Sequence, residues 1–284
     1  MQQLEASLFA AGMPVPALME KVAGRIARWI ATHYPRDRAP TVGFIVGPGH
    51  NGGDALVVAR ELYHHGYQVR VWCPFVDLKA LTAHHQTYLK YLNVSCTDTE
   101  VDLQCCDLIV DGGFGIGLTR SLTGQFAQGI EAINRWHIPV VSIDLPTGLE
   151  TNTGKVLGTA IRAHHTLCLG LWKLGLMQDV ALPWLGQVHL IPFDLPSHSI
   201  QSAIANLPSV RRISTKIGYS HLPLNRSAIA HKYMVGHLLL IAGSRQYAGA
   251  ALLAGKGAIA SGVGMMTLIV PESLRLTAIS QLPE

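Results

Sequence analysis

Two aspartates end β-branched apolar runs and run into turns: Asp111 closes DLIVD ahead of GGFGIG, and Asp144 closes VVSID ahead of LPTG. A carboxylate held at such a strand end can move a proton in a positioned reaction. A third turn, GPGHNGGD over residues 47–54, brings His50, Asn51 and Asp54 together with Gly47, Gly49, Gly52 and Gly53. Glycines there permit positive φ and close approach of backbone N–H groups, and a helix starting after the turn adds partial positive charge for an anion.

For these three turns to meet, their strands must lie parallel with carboxyl ends together. Residues 42–46, 67–74, 107–111, 138–144, 164–170 and 186–193 read as strands, and 16–33, 54–65, 79–91 and 122–136 as helices. In 16–33, Leu18, Met19, Val22, Ile26, Trp29 and Ile30 recur at helical spacing and would cover one face of a sheet. Alternating strands and helices imply right-handed crossovers, hence an α/β fold of three layers around a Rossmann-like parallel sheet. Ligands of such sheets collect outside the carboxyl ends of the strands. A strand-terminal Asp also caps turns and glycines also merely permit them, so the joint occurrence of three such ends is what favours a site.

Gly47, Gly49 and Gly52 have the G-x-G-x-x-G spacing of dinucleotide folds. QVRVWCP, the next strand, ends without the acidic residue that would hold a ribose, which argues against an ordinary NAD dehydrogenase. Charged residues are 14% and hydrophobic residues 49%, the balance of a globular chain with a sizeable core. The net charge of +4 comes without a dense basic block, so nucleic acid is not an expected partner; Arg211, Arg212 and Lys216 read as a solvated linker. Five cysteines, two of them adjacent (Cys105, Cys106), form neither a disulfide framework nor a zinc pattern and imply a reducing cytoplasm. MQQLEASLFAAGMPVP lacks a basic start and apolar core, and no run of about 18 apolar residues occurs, so no membrane association is expected.

Longer strings carry a resemblance. GPGHNGGDALVVAR resembles the GPGNNGGDG-type signature of the NAD(P)H-hydrate epimerase family, and DLIVDGGFGIGLTR its D-x-I-V-D-A-L-F-G-T-G-L-x-R segment. VVSIDLPTGLETNTG resembles its V-x-V-D-I-P-S-G-L-x-x-x-T-G segment, MEKVAGRIA its ME-x-A-G region, and LGLWKLGLM its strand leading into K-x-G-L. The order is kept over roughly residues 15–195. The resemblance implies that hydrated NADH or NADPH is bound by His50, Asn51, Gly52, Gly53 and Asp54, by a second loop of Gly115, Ile116, Gly117, Leu118, Thr119, Arg120 and Ser121, and by Asp144 near the reacting ring. It further implies a potassium ion held by Asn51, Asp111 and Thr147, oxygen donors of the kind a hard cation takes. Departures from the family pattern are His50 for Asn, Gly112 and Gly113 for Ala-Leu, Ile116 for Thr and Thr147 for Ser.

The implied reaction is epimerisation at carbon 6 of the hydrated nicotinamide ring, by loss and return of its hydroxyl or by ring opening. Either route needs a positioned acid/base group, and Asp144 is the residue expected to handle the hydroxyl proton. Two other readings stand beside it: a nucleotide-binding scaffold of the same fold without turnover, and an unrelated Rossmann-type oxidoreductase.

Three segments are expected: residues 1–195 as the epimerase domain, 196–230 as a Ser-, Pro- and His-rich linker, and 231–284 as the start of a second domain. The last reads as strand 237–242, helix 249–261 and strand 265–270, and resembles the opening of the ribokinase-like, ADP-dependent NAD(P)H-hydrate dehydratase, with Tyr233 where H-K-G-x-x-G has glycine. Ala250 is the substrate contact the resemblance assigns there. Such a domain continues for about two hundred residues, so ADP use and dehydration are expected only of a complete second half. An uncovered apolar face on that piece makes a homo-oligomer an expectation.

Overall fold

The computed structural model describes residues 1–205, 210, 213–222 and 224–282. Arg211 and Arg212 of the expected solvated stretch lie outside them, while Lys216 is exposed. Two compact units are formed, Met1–Pro208 and Ser209–Glu284.

In the first unit α1 (Gln2–Ala10) and α2 (Val15–His33) precede β1 (Thr41–Val46), α3 (His50–His64), β2 (Gln68–Trp72), α4 (Ala80–Tyr91) and β3 (Ser95–Thr97). Then come β4 (Leu108–Gly112), α5 (Gly124–Arg135), β5 (Val140–Ile143), β6 (His165–Leu169), the one-turn α6 (Leu182–Leu185), β7 (Gln187–Ile191) and α7 (Ser197–Ile204). The seven strands lie in the order β3-β2-β1-β4-β5-β6-β7, every pair parallel.

The strand residues alternate between two apolar clusters, which makes three layers. Phe44, Val46, Val110, Val141 and Ile143 pack in one cluster with α2 and α3, through Ile26, Ile30, Leu56 and Leu62. Ile45, Ile109 and Val140 face the other way, with Trp72, Phe126 and Ile130 of α5. Each fully buried side chain of this size contributes about 1.5–3 kcal/mol. Helix α2 has proline in its first turn, buries Leu18, Met19, Val22, Ala23, Ile26, Ala27 and Ile30 along one stripe, and ends before Pro35, whose ring disfavours helix in the residue preceding it.

Three features differ from the sequence expectation. Helix α1 forms where none was expected, burying Leu4. Edge strand β3 is three residues long, with Ser95 exposed and Cys96 and Thr97 half-buried, too short for an alternation to register. Helix α3 starts at His50, not Asp54, taking Gly52 and Gly53 into its first turn because they pack into the core where tertiary contact outweighs their poor helix propensity. Within 196–230 the chain forms α7, which packs on α1, and α8 (Thr215–His221).

The second unit continues with α9 (Lys232–Val235), β8 (His237–Ile241), α10 (Ala248–Ala260), β9 (Met265–Ile269) and α11 (Arg275–Gln281). β8 and β9 pair in parallel across the α10 crossover, as the strand-helix-strand reading expects. Ala250 is exposed in the first turn of α10.

Candidate active site

From the centre of the first sheet the chain runs outward one way through β2 and β3 and the other way through β5, β6 and β7, so β1 and β4 flank a topological switch point. A cavity of about 420 Å³ opens at their carboxyl ends, within the range of small-molecule sites. His50, Asn51, Asp54, Gly115, Ile116, Gly117, Leu118 and Asp144 line it. Gly52 and Gly53 are buried in the first turn of α3 behind that lining, and Thr119, Arg120 and Ser121 are exposed in the following loop. Asp111 and Thr147 are wholly buried beneath the Gly113–Phe114 turn.

The glycines of the first turn divide the work. A Cβ on Gly47 would stand 1.6 Å from the carbonyl oxygen of Gly113, and one on Gly52 1.9 Å from that of Gly47, so both are required by packing. Gly49 meets nothing within 4 Å and borders the cavity as the N-cap of α3. No side chain among the described residues caps that helix, which leaves first-turn amides free for an anion. Thr82 of α4 fixes the turn by donating to the Gly49 carbonyl at 2.8 Å, and Lys79 adds a cation to the cavity wall.

Asp111 organises the floor. Its Oδ1 accepts from Gly113 N at 3.1 Å and Thr147 Oγ1 at 2.6 Å; its Oδ2 accepts from Thr147 N and Ser142 Oγ, both at 2.8 Å. Thr147 Oγ1 also accepts from Phe114 N at 2.8 Å, tying the β4 and β5 turns together. Burial pushes the Asp111 carboxyl up, against these four hydrogen bonds that favour the charged form. Asn51 has its amide nitrogen buried without a hydrogen-bond partner among the described residues.

Asp144 holds the left-handed conformation, φ +69°, while its N–H stays paired to Leu167 O at 2.8 Å. A non-glycine residue there costs about 1–2 kcal/mol, strain typical of functional positions. Its Oδ1 accepts from Leu169 N at 3.2 Å and from the ammonium of Lys173, which also donates to Leu169 O at 2.6 Å. Burial acts to lower the Lys173 pKa, but the adjoining Asp144 carboxylate together with Cys168 and Glu5 outweighs it and raises it above the ordinary lysine value. Asp144 Oδ2 is turned the other way, 3.2 Å from where a Cβ on Gly115 would sit, and the Asn51 amide oxygen lies 3.3 Å from the same point. One carboxylate oxygen is thus anchored, and the other faces the glycine loop.

Further charges border the cavity. Asp54 is pushed well above the usual carboxylate range, by burial first and then by Asp144 and Glu5. Glu5 on α1 is raised by burial and by Asp144. His50 is held neutral-leaning by burial and Lys79. Sequence reasoning gave no role to Glu5, Lys79 or Lys173. Lys173 carried a signal, being the lone charged residue in the apolar stretch 166–178; Glu5 and Lys79 carried none.

Comparison with known proteins follows the same division. Residues 15–175 match the family described as YjeF-related protein N-terminus, and residues 238–284 the family described as NAD(P)H-hydrate dehydratase. The chain is 51% identical, along its whole length, to 56% of the bifunctional NAD(P)H-hydrate repair enzyme Nnr of Thermosynechococcus vestitus. It is 50% identical, again along its whole length, to 54% of the protein so named in Synechocystis. It therefore spans about half the length of these curated relatives. A NAD(P)H-hydrate epimerase of Limosilactobacillus fermentum is 35% identical over 62% of this chain and 85% of its own length. The crystal structure of the yeast protein ynu0 shares the fold, with a TM-score of 0.62 at 21% identity over 75% of this chain and 94% of that one.

Proposed function

The chain belongs to the family of YjeF-related proteins that share this N-terminal domain, and from that premise we propose that its first unit epimerises hydrated NADH and NADPH, interconverting the R and S forms at carbon 6 of the nicotinamide ring. The observation that carries this is Asp144: one oxygen fixed by Lys173 and Leu169 N, the other facing the loop at the sheet's switch point. A carboxylate so held can exchange a proton with the hydroxyl on the one face of the ring that it addresses. The relatives named for this epimerisation and repair support the substrate class.

The first-turn amides of α3, His50 and Lys79 hold the nucleotide phosphates, with Asn51 and the glycine loop closing on the ribose and ring. Asp111, Thr147 and Asn51 hold a potassium ion in this reading. Two observations support it: Asp111 is a buried carboxylate with no cationic partner within ion-pair distance among the described residues, and the Asn51 amide has one buried end unpaired. Turned about, that amide offers its carbonyl oxygen instead. The ion, when bound, supplies positive charge that steadies the β4 and β5 turns and the nucleotide.

The second unit is the opening of a dehydratase domain, with Ala250 a substrate contact and ADP the ligand of that half. The five free cysteines support a cytoplasmic setting, and exposed Leu239 and Ile241 on β8 support self-association. No helix among the described residues is long and apolar enough to cross a membrane.

The test is chromatographic separation of R from S after incubation of the purified R hydrate, in potassium and in a large organic cation. Enzyme-dependent appearance of S, slowed by the organic cation, is expected. Nucleotide binding without any S would select the scaffold reading instead.

A further inference from the structure

We propose that Glu5 on α1 is the second acid/base group of the epimerisation, acting from a different wall of the cavity than Asp144; this rests on the epimerase reading above. Inversion by loss and return of a hydroxyl makes two demands. One group must protonate the departing oxygen, and another must take a proton from water arriving on the opposite face. Asp144 cannot meet both, because its backbone is fixed at φ +69° and its Oδ1 is tied to Lys173 and Leu169 N.

The partner must come from another element. The cavity wall built by α1 and α2 is apolar, with Phe9, Val15, Leu18, Met19 and Val22, and Glu5 is its single ionisable residue among the described residues. A nicotinamide ring fits against such a wall, while His50, Asp54 and Lys79 stand at the uncapped start of α3 and the neighbouring turn, where the phosphates belong. Among the described residues the Glu5 side chain has no hydrogen bond or ion pair, so its carboxyl is free for a ligand. The charges acting on it are Asp144, Lys173 and the amino group of Met1, and Glu5 in turn acts on Asp54. Burial and Asp144 prevail and keep it protonated to higher pH than an ordinary glutamate.

In the proposed step the Glu5 proton passes to the carbon 6 hydroxyl as the carbon–oxygen bond breaks and water departs with the bonding pair. The ring nitrogen's lone pair forms the carbon–nitrogen double bond. Water then adds to the opposite face, its proton goes to the Asp144 carboxylate, and the pair returns to nitrogen. The other epimer runs the same steps with the roles exchanged, and solvent resets the two carboxyls.

The experiment measures kcat, KM and the pH profile of R-to-S conversion for the full chain and for Glu5→Gln and Glu5→Asp. One limb of a bell-shaped profile belongs to Glu5 in either direction. Glu5→Gln is expected to lower kcat by about 10²–10⁴ with KM little changed and to remove that limb, and Glu5→Asp to recover part of the rate. Full kcat in Glu5→Gln overturns the assignment, as does a slower enzyme whose profile keeps both limbs, the mark of a structural role. If Glu5→Gln fails to fold, the limb is read from Glu5→Asp, and an unshifted limb there overturns it. An inactive wild type overturns the epimerase reading itself, and the Glu5 assignment with it.

Discussion

At the scale of single residues, three carboxyls line one cavity with the Lys173 ammonium buried behind Asp144, and the protein settles this by distributing protons unequally. Asp144 pairs with Lys173, whereas Asp54 and Glu5 are driven toward the neutral form. The cost appears as pH dependence. Asp54 binds its proton more tightly folded than unfolded, so its favourable share of stability is complete below the ordinary carboxylate range and is lost as pH rises through its raised pKa. Asp54→Asn removes that loss. Its Tm is therefore expected to exceed that of the wild type by a margin that widens from about pH 4 upward, while nucleotide affinity falls. Calorimetry across that range checks it; a margin that stays constant or narrows contradicts the burial argument.

At the scale of elements, the switch point is held by backbone meeting backbone. Gly47 lies against Gly113, and Gly52 against Gly47, with no room for a methyl group. Gly47→Ala must separate the β1 and β4 turns, at a cost of about 3 kcal/mol or more, and move Asn51 and the Gly115 loop together. Denaturant unfolding and nucleotide titration check this, and wild-type values in both would contradict it. Gly49→Ala, facing open space, is expected to spare stability. These glycines were legible in the sequence as a turn, and β1, β4 and β5 as continuous β-branched runs. What did not register has physical reasons: β3 is short and only half-buried, α1 buries one anchor, Leu4, among its described side chains, and the start of α3 was hidden by glycines whose packing outweighs propensity. Asp144 was found because it ends a strand, and Asp111 likewise. Lys173 lies beyond its own strand and reaches Asp144 only through the fold.

At the scale of the molecule, the two units differ in how much they bury. β1, β4 and β5 are buried almost throughout, whereas four of five β8 residues are exposed. Amide exchange is expected to be slowest in β1, β4 and β5 and much faster in β8 and β9; equal protection would contradict this division. The parallel sheet in three layers follows from patterns readable in the sequence, whereas the strand order was supplied by the fold, and the family match covers residues 15–175 of the first unit. The most direct test of the central claim is the rate of R-to-S conversion of hydrated NADPH by the wild-type chain and by Asp144→Asn at equal nucleotide saturation. The account predicts conversion by the wild type and a loss of about 10²–10⁴ in the variant with binding retained. Undiminished turnover in a folded Asp144→Asn protein would contradict it.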